Sequence, residues 1–197
     1  MPDQPGKVRI DRFVEKRFGA PVIYEPLDAG VLGFTAFGST GVESVHIAEA
    51  TEQCVASDRR ISSTLAHEAG HGLMHTHLFC LEFNHSGLFA NDPDVSREKI
   101  LCRDGDGVRP RSGYDGRWWE VQANKAIGAL LMPKDLLLAF IEPFLERKGV
   151  FQVAILPENQ RDGAIRVAAD TFDVNPVVAR IRIEKFFKKG DEKQLTL

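Results

Sequence analysis

The chain has 197 residues, of which 43% are hydrophobic and 27% charged, a composition typical of folded globular proteins and not of disordered ones. Its formal net charge of −3 provides no overall positive field for nucleic acid or an anionic membrane surface. No run approaches the roughly 18 apolar residues that a membrane-spanning helix needs, so we expect no membrane segment.

The N-terminal stretch MPDQPGKVRIDRF has no basic flank followed by an apolar core, so it does not resemble a secretory signal. Cys54, Cys80 and Cys102 are an odd number of cysteines in a chain without such a signal, and we expect them to be reduced thiols. These features predict a cytoplasmic protein. No feature of the sequence predicts an oligomeric state.

Hydrophobic periodicity predicts a helix at 9–18, ended by Gly19, and then three short strands that are separated by glycine-containing turns. The strands are predicted at 21–24, 31–37 and 43–48. A longer helix is predicted at about 59–75. Residues 76–117 lack any period and contain HSG, NDPD, RDGDG and RPRSG, which indicates a long irregular insertion.

The C-terminal part of the chain is predominantly helical. Helices are predicted at 118–132 and 133–148, a short strand at 150–156, and two further helices within 161–188. Asn175 is the expected cap of the last helix and Pro176 its first residue. The order of helix, strands and helices predicts a small α+β domain with a helical tail.

The stretch STLAHEAGHGLMHTH at 63–77 contains the strongest chemical motif, His67-Glu68-x-x-His71. Residues four apart lie on one face of a helix, about 6 Å from each other, so both imidazoles can bind one zinc ion. Glu68 need not bind the metal. Beside an open coordination position it can take a proton from a bound water and pass it to a leaving amine.

Two residues are candidates for the third ligand. His77 stands where the metzincin pattern HExxHxxGxxH places a histidine, but that pattern requires glycine at position 74, where this chain has Met74. On a continuing helix, His77 would lie about 15 Å beyond His67 along the axis. The better candidate is Glu120, in RWWEVQANKAIGALLMP, which would complete a His₂Glu site.

Spacing alone leaves Glu120 open to another interpretation, as an ordinary carboxylate at the start of a helix. Asn124 lies one turn after Glu120 and can accept a hydrogen bond from a ligand histidine.

HEAGHGLMH followed by WWEVQANKAIGALLMP resembles the ImmA/IrrE metallopeptidases, which combine HExxH with E-x-x-A-N before an LLMP helix end. Glu120, Ala123, Asn124 and residues 130–133 match that pattern. The resemblance covers about residues 10–185, including the tail AADTFDVNPVVARIRIEKF, although the insertion between His71 and Glu120 is long for the family.

The resemblance implies an α+β, zincin-like minimal metalloprotease with a small mixed or antiparallel sheet and a C-terminal helix pair. The metallopeptidase domain would span 8–156, including the insertion at 76–117, and the helix pair at 157–189 would pack on it. One catalytic Zn²⁺ would be held by His67, His71 and Glu120. Glu68 would be the general base and then the acid, and Asn124 would support a ligand histidine.

The resemblance also implies a protein substrate, a helix-turn-helix transcriptional repressor, and we expect the cleaved segment to lie extended beside an edge strand such as 43–48. The alternative function is a non-catalytic regulatory module that retains a zincin fold and binds a partner or DNA. The helical tail carries several basic residues, but packing of its apolar face is the favoured interpretation, so direct nucleic-acid binding is not expected. These basic residues are Arg166, Arg180, Arg182, Lys185, Lys188 and Lys189.

Two weaker patterns remain open. Cys80, His85 and Cys102 could form a second zinc site in the insertion, but no fourth ligand is evident and ordinary thiols are the favoured interpretation. Several polar residues are candidates for stabilising an oxyanion, and the sequence does not choose among them. These are Tyr114, His75, His77 and His85.

Overall fold

The computed structural model describes residues 4–49, 58–78, 80, 99–103 and 118–188, with 99–103 described by their backbone alone. The N-terminal half of this part contains α1 (Ile10–Phe18), β1 (Val22–Glu25), β2 (Val31–Gly38), β3 (Gly41–Ala48), α2 (Asp58–Met74) and β4 (Lys99–Arg103). The C-terminal half contains α3 (Trp118–Leu131), α4 (Lys134–Ile141), β5 (Glu146–Lys148), β6 (Val153–Ile155), α5 (Glu158–Thr171) and α6 (Pro176–Phe186).

The first four strands form one mixed sheet in the order β1-β3-β2-β4. Strands β2 and β3 form an antiparallel hairpin, β1 runs parallel to β3, and β4 runs antiparallel to β2. The fold is therefore α+β with a small mixed sheet, as predicted. The expectation that 43–48 is an edge strand is wrong, because β3 lies between β1 and β2.

Strand β4 falls inside the segment 76–117, which was predicted to be irregular. Its sequence KILCR has three consecutive apolar residues between two basic ones, so it lacks the alternating pattern that indicates a strand. The segment is a strand because its backbone pairs with β2, and the local sequence does not indicate that pairing.

Polar side chains link β1 to β3 on one face of the sheet. Nδ1 of His46 lies 2.6 Å from Glu25 Oε1, and its Nε2 lies 2.7 Å from Ser44 Oγ. The ring of Phe34 stacks on the His46 ring at 4.3 Å between centroids. Because side chains alternate along a strand, Thr35 and Gly33 of β2 point to the opposite face, where α2 packs.

Helix α2 crosses β2 at short range. A Cβ on Gly33 would lie 2.9 Å from Thr64 Cγ2 of α2 and 2.7 Å from the backbone oxygen of His46. Only glycine therefore allows the helix to lie this close to the strand. The buried side chains of β2, β3 and α2 include Phe37, Val45, Ile47, Leu65, Ala66 and Ala69.

The chain divides into two compact units. One consists of the described residues of Arg9–Ile127, and the other of the described residues from Gly128 onward together with 4–8. This division differs from the predicted boundary between 156 and 157, because α4 shares contacts with α5 in the second unit. The expectation that the helix pair packs on a metallopeptidase domain remains a prediction.

Arginine and asparagine side chains satisfy backbone groups in the second unit. Arg182, nearly buried, donates from Nε to the Met132 backbone oxygen at 3.2 Å. Asn175 accepts a hydrogen bond from the Val177 amide at 2.9 Å, so the predicted cap of the last helix is confirmed. Helix α4 is shorter than predicted and ends at Ile141, where a 3₁₀ turn containing proline begins.

None of the helices in the described part of the chain combines the length and the apolar character that a bilayer crossing requires.

We expect Gly163→Ala to raise the free energy of unfolding by about 0.5–1 kcal/mol, because a helix-interior glycine is replaced by the best helix former. A Cβ at this position in α5 would meet no atom within 4 Å. Urea denaturation of the variant beside wild type measures the change. Gly19→Ala is the matched control. It also meets open space, but its φ of 67° is left-handed, so it should destabilise by about 1–2 kcal/mol.

Candidate metal centre

Three buried histidines follow one another at four-residue intervals, His67 and His71 in α2 and His75 directly after its last residue, where the His75 amide still donates to the His71 backbone oxygen. This spacing places the three imidazoles on one face of the helix in successive turns. Nε2 of His67 and Nε2 of His71 lie 3.0 Å apart. The two motif histidines thus point at one position, as the HExxH spacing predicts.

Helix α3 supplies the third group because it approaches α2 closely at Gly70. A Cβ on Gly70 would lie 2.8 Å from the Ala126 Cβ and 3.1 Å from the Ala123 Cα. Both neighbours are fixed, one a backbone atom and the other a methyl group attached directly to the backbone. Glycine in α2 opposite alanine in α3 is therefore what lets the two helices pack at this distance.

Glu120, in the first turn of α3, lies against both histidines. Its Oε2 is 3.2 Å from His67 Nε2 and 3.7 Å from His71 Nε2. Within the described residues, His67, His71 and Glu120 are the group of metal-ligating side chains whose donor atoms converge, all lying within 4.8 Å of one another. This group can hold a metal ion.

The outer nitrogens of both histidines have defined partners. His67 Nδ1 lies 3.0 Å from Asn124 Oδ1, an atom that only accepts, so Nδ1 carries the hydrogen. In the neutral ring this leaves a lone pair on Nε2, which is the form that binds a metal. His71 Nδ1 lies 3.0 Å from His75 Nδ1, and His75 Nε2 lies 3.1 Å from Gln122 Oε1.

Glu68 is fully buried next to this group, and its two oxygens are in different situations. The Thr35 hydroxyl of β2 donates to Oε2 at 2.6 Å. Oε1 is buried and has no hydrogen-bond partner among the described residues. Buried polar atoms without a partner are rare and costly, and an unsatisfied one in a polar cluster is a candidate for interaction with substrate or water.

The two carboxyl groups have opposite pKa shifts. Burial raises the pKa of Glu68 to about 7, although the charge of His67 and the Thr35 hydrogen bond oppose the shift. Burial also acts to raise the pKa of Glu120, but hydrogen bonds with His67 and His71 outweigh it and lower the pKa to about 2. Glu120 is therefore ionised, while Glu68 can accept or release a proton near neutral pH.

The pKa values of the histidines also diverge. Burial works against protonation of His67, yet the hydrogen bond with Glu120 raises its pKa above the ordinary value. The pKa of His71 is lowered, principally by burial. Since a histidine must be neutral to bind a metal, a proton shared between His67 and Glu120 competes with the ion for the same atoms.

The remaining predicted site residues lie elsewhere or outside the described residues. His77 is exposed and is not part of the converging group, so it is not the third member. His75 lies behind His71, a position that sequence reasoning missed although the four-residue spacing could have indicated it. Tyr114, His85 and the Cys102 side chain lie outside the described residues. The Cys80 thiol donates to the Gly38 backbone oxygen at 3.1 Å.

The basic residues of the C-terminal tail are in part committed to the fold. Arg182 binds the Met132 oxygen, and its guanidinium lies 4.9 Å from the centre of the Phe186 ring. Arg180 forms an ion pair with Asp162 at 3.8 Å. Fewer charges are therefore available for phosphate contacts than the sequence suggests, and Lys189 lies outside the described residues.

No protein-family model and no curated protein matches the chain. One solved structure to which it is similar is a Mycobacterium tuberculosis transcriptional regulator, with 14% identity and a TM-score of 0.48 over 89% of this chain. The chain spans about 40% of that regulator's length.

We expect Gly70→Ala to weaken divalent metal binding by about tenfold or more, which is at least about 1.4 kcal/mol, because the added methyl group pushes α3 and Glu120 away from the histidines. Titration of the metal-free protein with zinc in competition with a chelator measures the loss. Gly72→Ala is the matched control in the same helix, since the near neighbours of its Cβ would be side-chain atoms of Phe18 and Val42 and not atoms of α3. Equal affinity in both variants would contradict the role of Gly70.

We also expect Glu68→Gln to stabilise the metal-free protein above neutral pH. The folded-state pKa is raised, so the buried acid lowers the free energy of unfolding progressively as pH rises from about 4.5 to about 7. Removing it should therefore add up to about 3 kcal/mol at pH 8 and little at pH 5. Urea denaturation with a chelator present measures both values. A gain of the same size at pH 5 and at pH 8 would contradict this expectation.

Proposed function

We propose that the protein is a zinc-dependent endopeptidase, in which His67, His71 and Glu120 hold the ion and Glu68 handles the proton. The observation that carries the proposal is the convergence of two imidazole nitrogens and one carboxylate oxygen next to a buried carboxylate, one oxygen of which has no hydrogen-bond partner in the part of the chain that the structure describes. A purely structural metal site needs only the first of these two features, because nothing in it has to take up a proton.

The donor set and its dimensions support zinc. Two imidazoles and one carboxylate are the protein ligands of many catalytic zinc sites, in which a fourth position is left for water. Tetrahedral zinc with ligand distances of about 2.0–2.1 Å places its ligand atoms about 3.3 Å apart. The three observed separations of 3.0, 3.2 and 3.7 Å lie on either side of that value.

A bound zinc ion supplies a Lewis acid that lowers the pKa of water and polarises a peptide carbonyl. Glu68 takes the proton of the attacking water at Oε1, the oxygen to which no group in the described ranges donates. Thr35 holds Oε2 and so fixes the direction of the other oxygen. Because its pKa lies near 7, Glu68 then returns the proton to the nitrogen of the leaving amine.

The sheet suggests where a peptide would lie. Among the described strands β1 and β4 are at the edges, and β4 pairs with β2 opposite Thr35, with Thr35 in register with Ile100. Thr35 contacts Glu68, whereas β1 is separated from β2 by β3. An extended substrate segment would therefore add to the outer edge of β4, where main-chain hydrogen bonds hold it and side-chain alternation provides specificity.

The resemblance of HEAGHGLMH and WWEVQANKAIGALLMP to the ImmA/IrrE metallopeptidases supports a helix-turn-helix repressor as the natural substrate. In the competing function, a regulatory module that binds a partner or DNA, Glu68 would have no task. A buried carboxylate that raises the energy of the folded state is difficult to explain in such a module.

We expect the zinc-loaded wild-type protein to cleave members of a proteome-derived peptide library or a panel of purified helix-turn-helix repressors, read by mass spectrometry. Glu68→Gln should lower the cleavage rate about a hundredfold to ten-thousandfold and retain one zinc per chain, because the proton acceptor is lost and the ligands remain. Glu120→Ala should lose zinc and activity together.

Undiminished cleavage by Glu68→Gln would contradict the role of Glu68. Salt-dependent DNA binding by the zinc-loaded wild type, with no cleavage of any library peptide or repressor, would instead support the binding module.

A further inference from the structure

Behind the metal ligands lies a chain of hydrogen bonds that runs from the protein surface to His71. Gln122, exposed on α3, contacts His75 Nε2 through Oε1, and His75 Nδ1 contacts His71 Nδ1. His75 itself is fully buried, and its ring packs at 81° to the Trp118 ring, 5.4 Å between centroids. Burial and the contact with Trp118 therefore fix the position of the His75 ring. Its two hydrogen-bond partners, Gln122 and His71, determine which ring nitrogen carries the hydrogen.

Which atom donates and which accepts in each of these hydrogen bonds follows from Gln122, at the outer end of the series. Gln122 Oε1 can only accept, so His75 Nε2 donates to it, and the neutral His75 ring is left with a lone pair on Nδ1. That lone pair accepts from His71 Nδ1–H, because two bare nitrogens 3.0 Å apart repel each other unless a metal ion lies between them, and the space between these two Nδ1 atoms is not the metal position. His71 consequently presents an unprotonated Nε2 towards His67 and Glu120.

If donor and acceptor were exchanged in both hydrogen bonds, His71 could not bind a metal through Nε2. If the amide of Gln122 donated to His75 Nε2, His75 would carry its hydrogen on Nδ1 and donate to His71 Nδ1. The hydrogen of His71 would then sit on Nε2, in the space between His67 and Glu120 where a metal would bind. One of the two directions therefore permits metal binding and the other prevents it.

We propose that His75 and Gln122 are positioning residues that fix the hydrogen of His71 on Nδ1 and thereby keep its Nε2 available to the metal. This inference rests on the proposed metal site. Ligand histidines usually donate to a carboxylate, a backbone carbonyl or water. Here the partner is a neutral imidazole, which can accept or donate, so a third residue is required to set its direction.

The arrangement differs from that of His67, which donates directly to the Asn124 oxygen. His67 reaches the amide that fixes its hydrogen through a single hydrogen bond, with no imidazole in between. His71 depends on two successive hydrogen bonds, of which the outer one is part-buried and ends on the exposed residue Gln122. We therefore expect the two ligands to respond differently to substitutions on the exposed face of α3.

Substitution of His75 tests the inner link. His75→Phe keeps an aromatic ring against Trp118 but removes the acceptor, and zinc affinity should fall about 10- to 100-fold. His75→Asn places an amide oxygen close to the position of Nδ1 and should retain affinity within a few-fold of wild type. Affinity is measured by chelator competition. Equal losses in Phe and Asn variants, or no loss in either, would overturn the inference.

Substitution of Gln122 tests the outer link and separates it from general damage. Gln122→Glu keeps an accepting oxygen at the same length and should bind zinc at least as tightly as wild type. Gln122→Leu removes the acceptor and should weaken binding. In the His75→Asn background, the Leu substitution should have no effect, because no imidazole remains whose hydrogen must be placed. A loss of the same size in both backgrounds would contradict the proposal that Gln122 acts on His71 through His75.

Nitrogen-15 spectra of the histidine side chains in zinc-loaded protein give a readout that packing alone would not change. We expect His75 to carry its hydrogen on Nε2 in the wild type and on a mixture of both nitrogens in Gln122→Leu. A hydrogen on Nδ1 of His75 in the wild type would overturn the inference. If the wild type binds no zinc, the proposed function fails. If the wild type binds zinc and the His75 and Gln122 variants bind it equally well, only the proposed role of His75 and Gln122 fails.

Discussion

The contact between α2 and α3 at Gly70 is the constraint on which the candidate metal centre depends. The motif histidines come from α2, whereas Glu120 and Asn124 come from α3, about fifty residues later in the chain. Carboxylate and amide side chains are short, so they reach the imidazoles only if the helix backbones lie close together. Glycine inside a helix costs about 1 kcal/mol relative to alanine. Here the cost is offset by a separation that an ordinary Cβ would prevent.

The same small volume contains two carboxyl groups with opposite properties. Glu120 is held ionised by the imidazoles that it contacts, and its pKa falls to about 2. Glu68 is fully buried beside the Thr35 hydroxyl, and burial raises its pKa to about 7. A pair of acids whose environments separate their pKa values is a recurrent sign of divided roles, in which one group carries a fixed charge and the other exchanges protons. The proposed peptidase uses them in this way.

Local patterns in the sequence predicted what depends on a single element. The convergence of His67 and His71 follows from helical spacing, and the Asn175 cap follows from a residue preference at helix starts. Contacts between distant elements were less accessible. Thr35 is separated from Glu68 by thirty-three residues and has no motif of its own. Strand β3 lies inside the sheet because β1, which comes earlier in the chain, pairs with its outer side, and no local pattern encodes that pairing.

The hydroxyl of Thr35 also ties the proton-accepting group to the alignment of the sheet. Its neighbours in β2, Phe34 and Ala36, have no hydroxyl, and side chains of a strand point alternately to its two faces. A shift of β2 by one residue would bring one of these neighbours to Glu68 and leave both carboxyl oxygens without a donor. Insertions and deletions near this hairpin are therefore a class of genetic change that we expect to abolish the proposed peptidase activity while every proposed metal ligand stays intact.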